Sequence, residues 1–260
     1  MKAILFGWDK DVGLMELTYK CYMKLWPGCP LEFRVPINDI KNPDFEYFKT
    51  RRNVSLHHCD SHMRDTFIAL LDGIEDEEWI YWCISDRYPV ALHPDIHKLY
   101  KSINEVPNDV STIKLFYYLR SDRPCNQKFK IEGLDFYEIK AKNPEWGFWL
   151  HQFVKCKWFK NIVLHKSIKD YKKPSQDKPI KIKRKLNEIM SNDKSVAPHE
   201  DDNLLILGEP SMRKNRLTKN GCEDLNTMKC KLTGRKVSSK SVYWPETKKI
   251  KPGYKAIRDL

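Results

Sequence analysis

"WIYWCISDRYPV", residues 79–90, decides the fold. Its first six residues are apolar or aromatic, the pattern of a strand covered on both faces inside a sheet. The run then stops abruptly on Ser85-Asp86-Arg87. A carboxylate at the end of a buried strand has two readings. One is ordinary strand-end solvation, with nearby Pro89 suited to a turn. The other is the floor of a ligand site.

The elements upstream set the context. "KAILFGW", residues 2–8, reads as a first, central strand. The stretch from Asp9 to Gly28 reads as a helix. Leu14, Leu17, Cys21, Tyr22 and Leu25 fall at helical spacing, and Pro27-Gly28 ends it. "LEFRVPI" reads as a second strand ending at Asn38-Asp39, and "NVSLHHC" as a third. "SHMRDTFIALLDGI" reads as a helix with Ser61 as N-cap and Phe67, Leu70, Leu71 and Ile74 on its inner face. The order β-α-β-β-α-β predicts an α/β fold, a mostly parallel sheet flanked by helices. In such sheets ligands bind outside the carboxyl ends of the strands. Three polar clusters fall there: Trp8-Asp9, Asn38-Asp39 and Asp86-Arg87.

Downstream, "PDIHKLYKSI", residues 94–103, reads as a helix, "STIKLFYYL" and "LDFYEIKA" as strands, and "NPEWGFWLHQFVKCKWFKNIVL" as an aromatic-rich helix opened by Asn143-Pro144-Glu145. Residues 1–164 carry 23 basic and 23 acidic residues; residues 165–260 carry 24 and 12, and with them the whole net charge of +12. Residues 1–164 therefore read as a balanced globular domain and 165–202 as a Lys-rich linker or solvated helix. Residues 203–260 return to the core at "NLLILGEP" and then form a basic tail. Such a tail suits phosphates, an acidic surface or anionic lipid.

The eight cysteines are scattered without a CxxC pair, the pattern of free thiols. The N-terminus lacks an apolar run of signal-peptide length, and no stretch approaches a membrane span. The expected location is cytoplasmic. Walker and GxGxxG motifs are absent, which argues against a P-loop NTPase or a dinucleotide dehydrogenase.

Several side chains carry candidate chemistry. Asp86 offers oxygen to Mg²⁺ or Mn²⁺ against a pyrophosphate. His57, His58, Cys59, Asp60 and His62 form a local cluster, but adjacent strand residues face opposite ways, so the plainer reading is structural. Arg64, in the first turn of its helix, suits either a bidentate phosphate contact or an ion pair with Asp60 or Asp65. His151 reads as a general base, a metal ligand or a hydrogen-bonded core histidine. Glu209 with Arg213, Lys214, Arg216 and Lys219 reads as a segment closing over a diphosphate, or as a solvated loop.

Four blocks, in order, carry a resemblance. They are "ILFGWDKDVGLMELTYKCYMKLWPGCPLEFRVPIND", "SHMRDTFIALLDGIEDEEWIYWCISDRYPV", "WGFWLHQFVKCKWFKNIV" and "LGEPSMRKNRLTKNG". Together they resemble GT-A-type glycosyltransferases, in particular small sugar-nucleotide-dependent enzymes of marine bacteria and cyanobacteria. The resemblance spans residues 2–165 and, more weakly, 203–225. It implies a transferase moving a sugar from a nucleotide-sugar donor to a hydroxyl of a glycan or lipid-linked precursor, in cell-surface polysaccharide biosynthesis. It implies that Trp8, Asp9 and Asn38 line the base and ribose pocket and that Arg64 lies near the nucleotide. Asp86 would take the place of the metal- and diphosphate-binding acidic motif, and Glu145 and His151 would face the acceptor or the metal. The family's motif has two carboxylates where this chain has Ser85-Asp86-Arg87. Water and phosphate completing a Mn²⁺ or Mg²⁺ site, Arg87 neutralising the diphosphate directly, and loss of activity are the alternatives. Peripheral contact of the tail with the inner membrane's anionic lipid fits the charge. The rival function is a non-catalytic nucleic-acid- or polyanion-binding protein. Against nucleic acid, the tail lacks the interleaved aromatics that stack on bases.

Overall fold

A computed structural model describes residues 1–60, 62–117, 122–141, 148–164, 194–199, 201–212, 216–231, 236–245 and 253–259. In chain order the first elements are β1 (Lys2–Phe6), α1 (Val12–Leu25), β2 (Glu32–Ile37), α2 (Glu46–Lys49), β3 (Val54–His58), α3 (Met63–Leu71) and β4 (Trp79–Ile84). There follow β5 (Tyr88–Leu92), α4 (Ile96–Lys101), β6 (Val110–Lys114), β7 (Asp122–Ile131), β8 (Leu134–Ala141), β9 (Gln152–Lys155) and α5 (Cys156–Val163). The remainder comprises β10 (Lys194–Pro198), β11 (Leu205–Gly208), β12 (Ser211–Met212), β13 (Arg216–Leu217), α6 (Lys219–Thr227), β14 (Tyr243–Trp244) and β15 (Lys255–Ala256).

The main sheet has the order β3-β2-β1-β4-β9-β6-β10-β8-β7. The first four strands are all parallel, as the β-α-β-β-α-β reading requires. β4 and β1 sit side by side in its middle, and the alternation of their side chains explains the unbroken apolar runs. Ala3, Leu5, Tyr81 and Cys83 join the core that contains α1. Ile4, Phe6, Ile80, Trp82 and Ile84 join the core built on α3 and α5. Successive strand residues point to opposite faces, so a strand with a helix layer on each side is apolar throughout.

The other half of the sheet departs from the mostly parallel expectation. β9 runs antiparallel to β4 and to β6, β10 is parallel to β6, and β8 is antiparallel to β10 and β7. The expected aromatic helix over 143–164 is likewise corrected. Residues 152–155 form the buried strand β9, and α5 starts only after it, at Cys156. β9 supplies the backbone partners that β4 and β6 need on their facing edges, and buried peptide groups cannot go without them. Helix α3 starts at Met63 with His62 in the N-cap position; Ser61, the expected cap, lies outside the described residues.

Pro89 does not make a turn. It lies inside β5, opposite Leu207 of β11 where the pairing register shifts, a place in a ladder that tolerates a missing N–H. β5 belongs to a second sheet of order β14-β11-β5-β15. The expectation of a linker over 165–202 also gives way in part. Lys194–Pro198 is a strand of the main sheet, with Val196 and Ala197 fully buried. The described part of the last sixty residues is built into the molecule as well, since Leu205, Leu225, Trp244 and Ile257 share the core of α1 and β1. Among the described residues no helix is long and apolar enough to cross a membrane.

Candidate functional site at the carboxyl edge

The carboxyl ends of β1, β2, β3 and β4 meet at one edge of the sheet. Gly7, just after β1, makes this possible. A Cβ there would stand 2.5 Å from the Met15 side chain and 2.8 Å from Ser85 Oγ. Beyond it, Asp9 clips the next strand end in place. Its Oδ1 accepts the Asn38 N–H and its Oδ2 the Asp39 N–H, each at 2.9 Å. Asn38 Nδ2 donates onward to the Cys59 carbonyl at 3.0 Å. Asp9 and Asn38, expected in a base and ribose pocket, thus hold three strand ends together. Trp8 sits edge-on to Phe6 (5.7 Å between centroids) with 36% of its surface open. That leaves the indole able to stack on a planar ligand.

At the end of β4, Ser85 is buried and its N–H donates to the Phe6 carbonyl at 2.8 Å. Asp86 and Arg87 turn outward from there. The Arg87 guanidinium lies between two carboxylates, its Nη1 3.7 Å from Asp86 Oδ2 and 3.5 Å from Glu209 Oε1. Both distances exceed a hydrogen bond. Nη1 donates instead to the Asp86 carbonyl at 2.8 Å, and Nε is buried with no hydrogen-bond partner. Trp244 backs the group. Its ring centroid is 5.8 Å from the guanidinium carbon, and its Nε1 donates to Glu209 Oε2 at 3.1 Å. Burial pushes the Asp86 carboxyl upward; Arg87 pulls against this, and the carboxylates of Glu209 and Asp11 add to it. With 59% of the Asp86 side chain in solvent, water screens much of that push.

This donor set does not fit a protein-caged Mg²⁺ or Mn²⁺. Mg²⁺ takes six oxygens and is usually held through one or two carboxylates, with water and substrate phosphates supplying the rest rather than a cage of protein ligands. Among the described residues no three His, Cys, Asp or Glu side chains converge as metal ligands. The carboxylate nearest Asp86 through Arg87, Glu209, shares that guanidinium rather than an open coordination position.

Other expected site residues are placed differently. His151 does not face the edge; it is wholly buried. Its Nδ1 lies 2.6 Å from the Tyr22 hydroxyl, which lies 2.6 Å from that of Tyr81, and its Nε2 lies 3.2 Å from the Ile84 N–H. Burial pushes its pKa down to about 3, so the ring is neutral and props the end of β4 from within. Arg64 points its Nη1 at the Leu164 carbonyl that ends α5, capping a helix. His57 pairs with Ser55 at 2.9 Å. Lys219 faces Glu223. Glu145, Arg213 and Lys214 lie outside the described residues.

One network had no signal in the sequence. Tyr88, next to Arg87, donates to Asp224 Oδ2 at 2.6 Å and accepts from Asn220 Nδ2 at 2.9 Å. Burial raises the Asp224 carboxyl, while Tyr88 and Arg258 pull it back. Gly208 lies flat against the Tyr88 ring, where a Cβ would be 2.6 Å from a ring carbon. Nothing in the spacing of residues 88, 208 and 220–224 links them; only the second sheet brings them together.

No family model matches the sequence, and no curated protein matches it. Among solved structures the chain is similar to the galactosyltransferase LgtC. An active-site mutant of LgtC is 12% identical over 76% of this chain and 72% of that one, with a TM-score of 0.44. LgtC in complex with donor and acceptor sugar analogues is 11% identical over 76% and 73%, with a TM-score of 0.43. Both are too distant to transfer a residue or an activity.

Proposed function

We propose that this chain is a glycosyltransferase, moving a sugar from a nucleotide-sugar donor to a hydroxyl of a glycan or glycan precursor. The observation that carries the reading is the carboxyl edge itself. Four parallel strands end together there, their loops are clipped by Asp9 and Asn38, and the same edge carries an open Trp8 and, after β4, a half-buried Arg87 whose Nε is buried and unpartnered. Open α/β sheets bind ligands at such an edge.

In this reading the donor's anomeric carbon is attacked by the acceptor hydroxyl, and the nucleoside diphosphate departs with the bonding electrons. Stabilising the charge that builds on the diphosphate is the main task. Arg87 supplies it, exchanging its long contacts to Asp86 and Glu209 for shorter ones to phosphate oxygens. Trp8 stacks on the base. Asp86, open and with its carboxyl raised, accepts a donor or acceptor hydroxyl. Glu145 is the candidate base for an inverting reaction. Asp86 with phosphate and water could complete a divalent-ion site, or Arg87 could neutralise the diphosphate without one, and the test compares the two.

Calorimetric titration with UDP-, GDP- and CMP-sugars, in Mn²⁺ and in EDTA, tests the reading. Binding of one nucleotide class in either buffer is expected. Failure of every sugar nucleotide in both buffers sinks it.

A further inference from the structure

Strand register brings Glu209 to Arg87. β5 and β11 are antiparallel, with Tyr88 opposite Gly208, so the residue before β5 and the residue after β11 form the next pair across. On the other side of β11 lies β14, with Tyr243 opposite Gly208 and Trp244 opposite Leu207. The Glu209 backbone is held on both sides. Its N–H donates to the Val242 carbonyl at 3.0 Å, and its own carbonyl accepts the Thr218 hydroxyl. The carboxylate therefore starts from a fixed point of the second sheet.

An arginine and a carboxylate placed opposite each other normally close to a charge-assisted hydrogen bond of about 2.7–2.9 Å. This pair stays open. Glu209 Oε1 stops 3.5 Å from Arg87 Nη1, while Oε2 accepts the Trp244 indole N–H at 3.1 Å. Trp244 is buried, and its ring centroid is 5.8 Å from the guanidinium carbon. The indole thus holds the carboxylate close enough to oppose a second anion and too far away to satisfy the guanidinium. The Arg87 and Glu209 side chains are only 17% and 24% exposed, so water screens their charges in part. Asp86, with 59% of its side chain in solvent, is the weaker of the two counter-charges.

We propose that Glu209 is a specificity residue for the anion at Arg87, a counter-charge fixed by Trp244 that weighs against a ligand in proportion to its negative charge. The proposal rests on the reading of Arg87 as the partner of a phosphate group. An anion on the guanidinium feels the Glu209 carboxylate from roughly 6 Å. Between the dielectric of water and that of a protein surface, each unit of ligand charge then lowers affinity by about threefold to a hundredfold. A nucleotide sugar carries less negative charge than the nucleoside diphosphate it releases. Glu209 therefore weighs more against the product than against the donor, and favours release after transfer. Trp244 is the positioning residue. Without its N–H the carboxylate is free to close on Arg87 and compete with the ligand directly.

The test is calorimetric titration of the full chain with orthophosphate, pyrophosphate and tripolyphosphate, at low and high salt. Glu209→Gln keeps an oxygen for the Trp244 N–H and removes the charge. It should tighten pyrophosphate about tenfold, orthophosphate less and tripolyphosphate more. The gain should shrink at about 0.5 M salt. Trp244→Phe keeps a ring beside Arg87 and releases Glu209, and should weaken pyrophosphate by about threefold or more. Opposite signs are the signature, because a merely structural role would weaken binding in both variants. If Trp244→Phe does not fold, the charge series in Glu209→Gln decides alone. The proposal is overturned if Glu209→Gln binds pyrophosphate no more tightly than the parent, if its gain is equal for all three anions, or if neither protein binds any of them. The sugar-nucleotide titration is read separately. Sugar-nucleotide binding with no gain in Glu209→Gln removes the counter-charge and leaves the transferase. The pyrophosphate pattern without sugar-nucleotide binding removes the transferase and leaves an anion site tuned by Glu209.

Discussion

Arg87 and His151 show how differently two polar residues near one strand end can be used. Arg87 keeps a positive charge close to the surface, loosely bracketed by Asp86 and Glu209, with Nε unsatisfied. A buried donor without a partner costs about 1–3 kcal/mol, a cost that a bound phosphate would remove. Arg87→Met should therefore weaken sugar-nucleotide binding by about ten- to a hundredfold in calorimetry, with Arg87→Lys in between. Unchanged affinity in Arg87→Met would place the diphosphate elsewhere. His151 is the opposite case, a neutral ring in a closed hydrogen-bond chain. Its folded pKa of about 3 lies below the unfolded value of about 6.5, so the unfolded state takes the proton first as pH falls. The stability it contributes is full above pH ~6.5 and is lost down to pH ~3, at up to about 1.4 kcal/mol per pH unit. His151→Asn should cost about 1–3 kcal/mol at pH 7.5 through its lost bonds, yet its urea midpoint should fall less steeply from pH 6.5 to 4. An equal slope in both proteins would show that other groups govern acid unfolding. The sequence raised a buried, hydrogen-bonded histidine as one reading of His151. Choosing between that and a base required the neighbours Tyr22 and Ile84, 129 and 67 residues away in the chain.

Among the elements, β1 to β4 with α1 and α3 were legible because each has a long or regular apolar pattern that either period explains without rivals. β9 was not. Its four residues sit in an aromatic run that also fits a helix, and what makes it a strand is the vacancy between β4 and β6. β5 was hidden by Pro89, a residue normally read as punctuation. The pairing of β5 with β11 is close enough to be tested directly. Gly208→Ala would press a methyl into the Tyr88 ring and disturb the Tyr88–Asp224 bond. Overpacking of this kind costs about 1–3 kcal/mol, measurable as a lower urea midpoint. A variant as stable as the parent would mean that the ring moves aside freely. Because Tyr88 follows Arg87, the same variant should also lower sugar-nucleotide affinity.

At the scale of the whole molecule, the basic third is joined to the balanced head. β10 completes the main sheet, and β11, α6, β14 and β15 close over α1 and β5. Glu209 and Trp244 reach Arg87 from this third. A chain cut after Leu164 would expose the hydrogen-bonding edges of β5, β6 and β8 that these strands pair with. It should lose its cooperative thermal transition in calorimetry rather than survive as a nucleotide-binding head; a sharp transition in the cut chain would show that residues 1–164 fold alone. The sequence by itself determined the central strands, the helices that flank them and the edge on which polar residues gather. These follow from periodicity and strand direction, which act locally. The tertiary structure alone decided that β9 is a strand and that His151 is core. It also decided that Glu209 and Trp244 complete the surroundings of Arg87. Hydrogen-bond pairing between strands and the burial of charge depend on which distant segments meet, and spacing along the chain does not encode that.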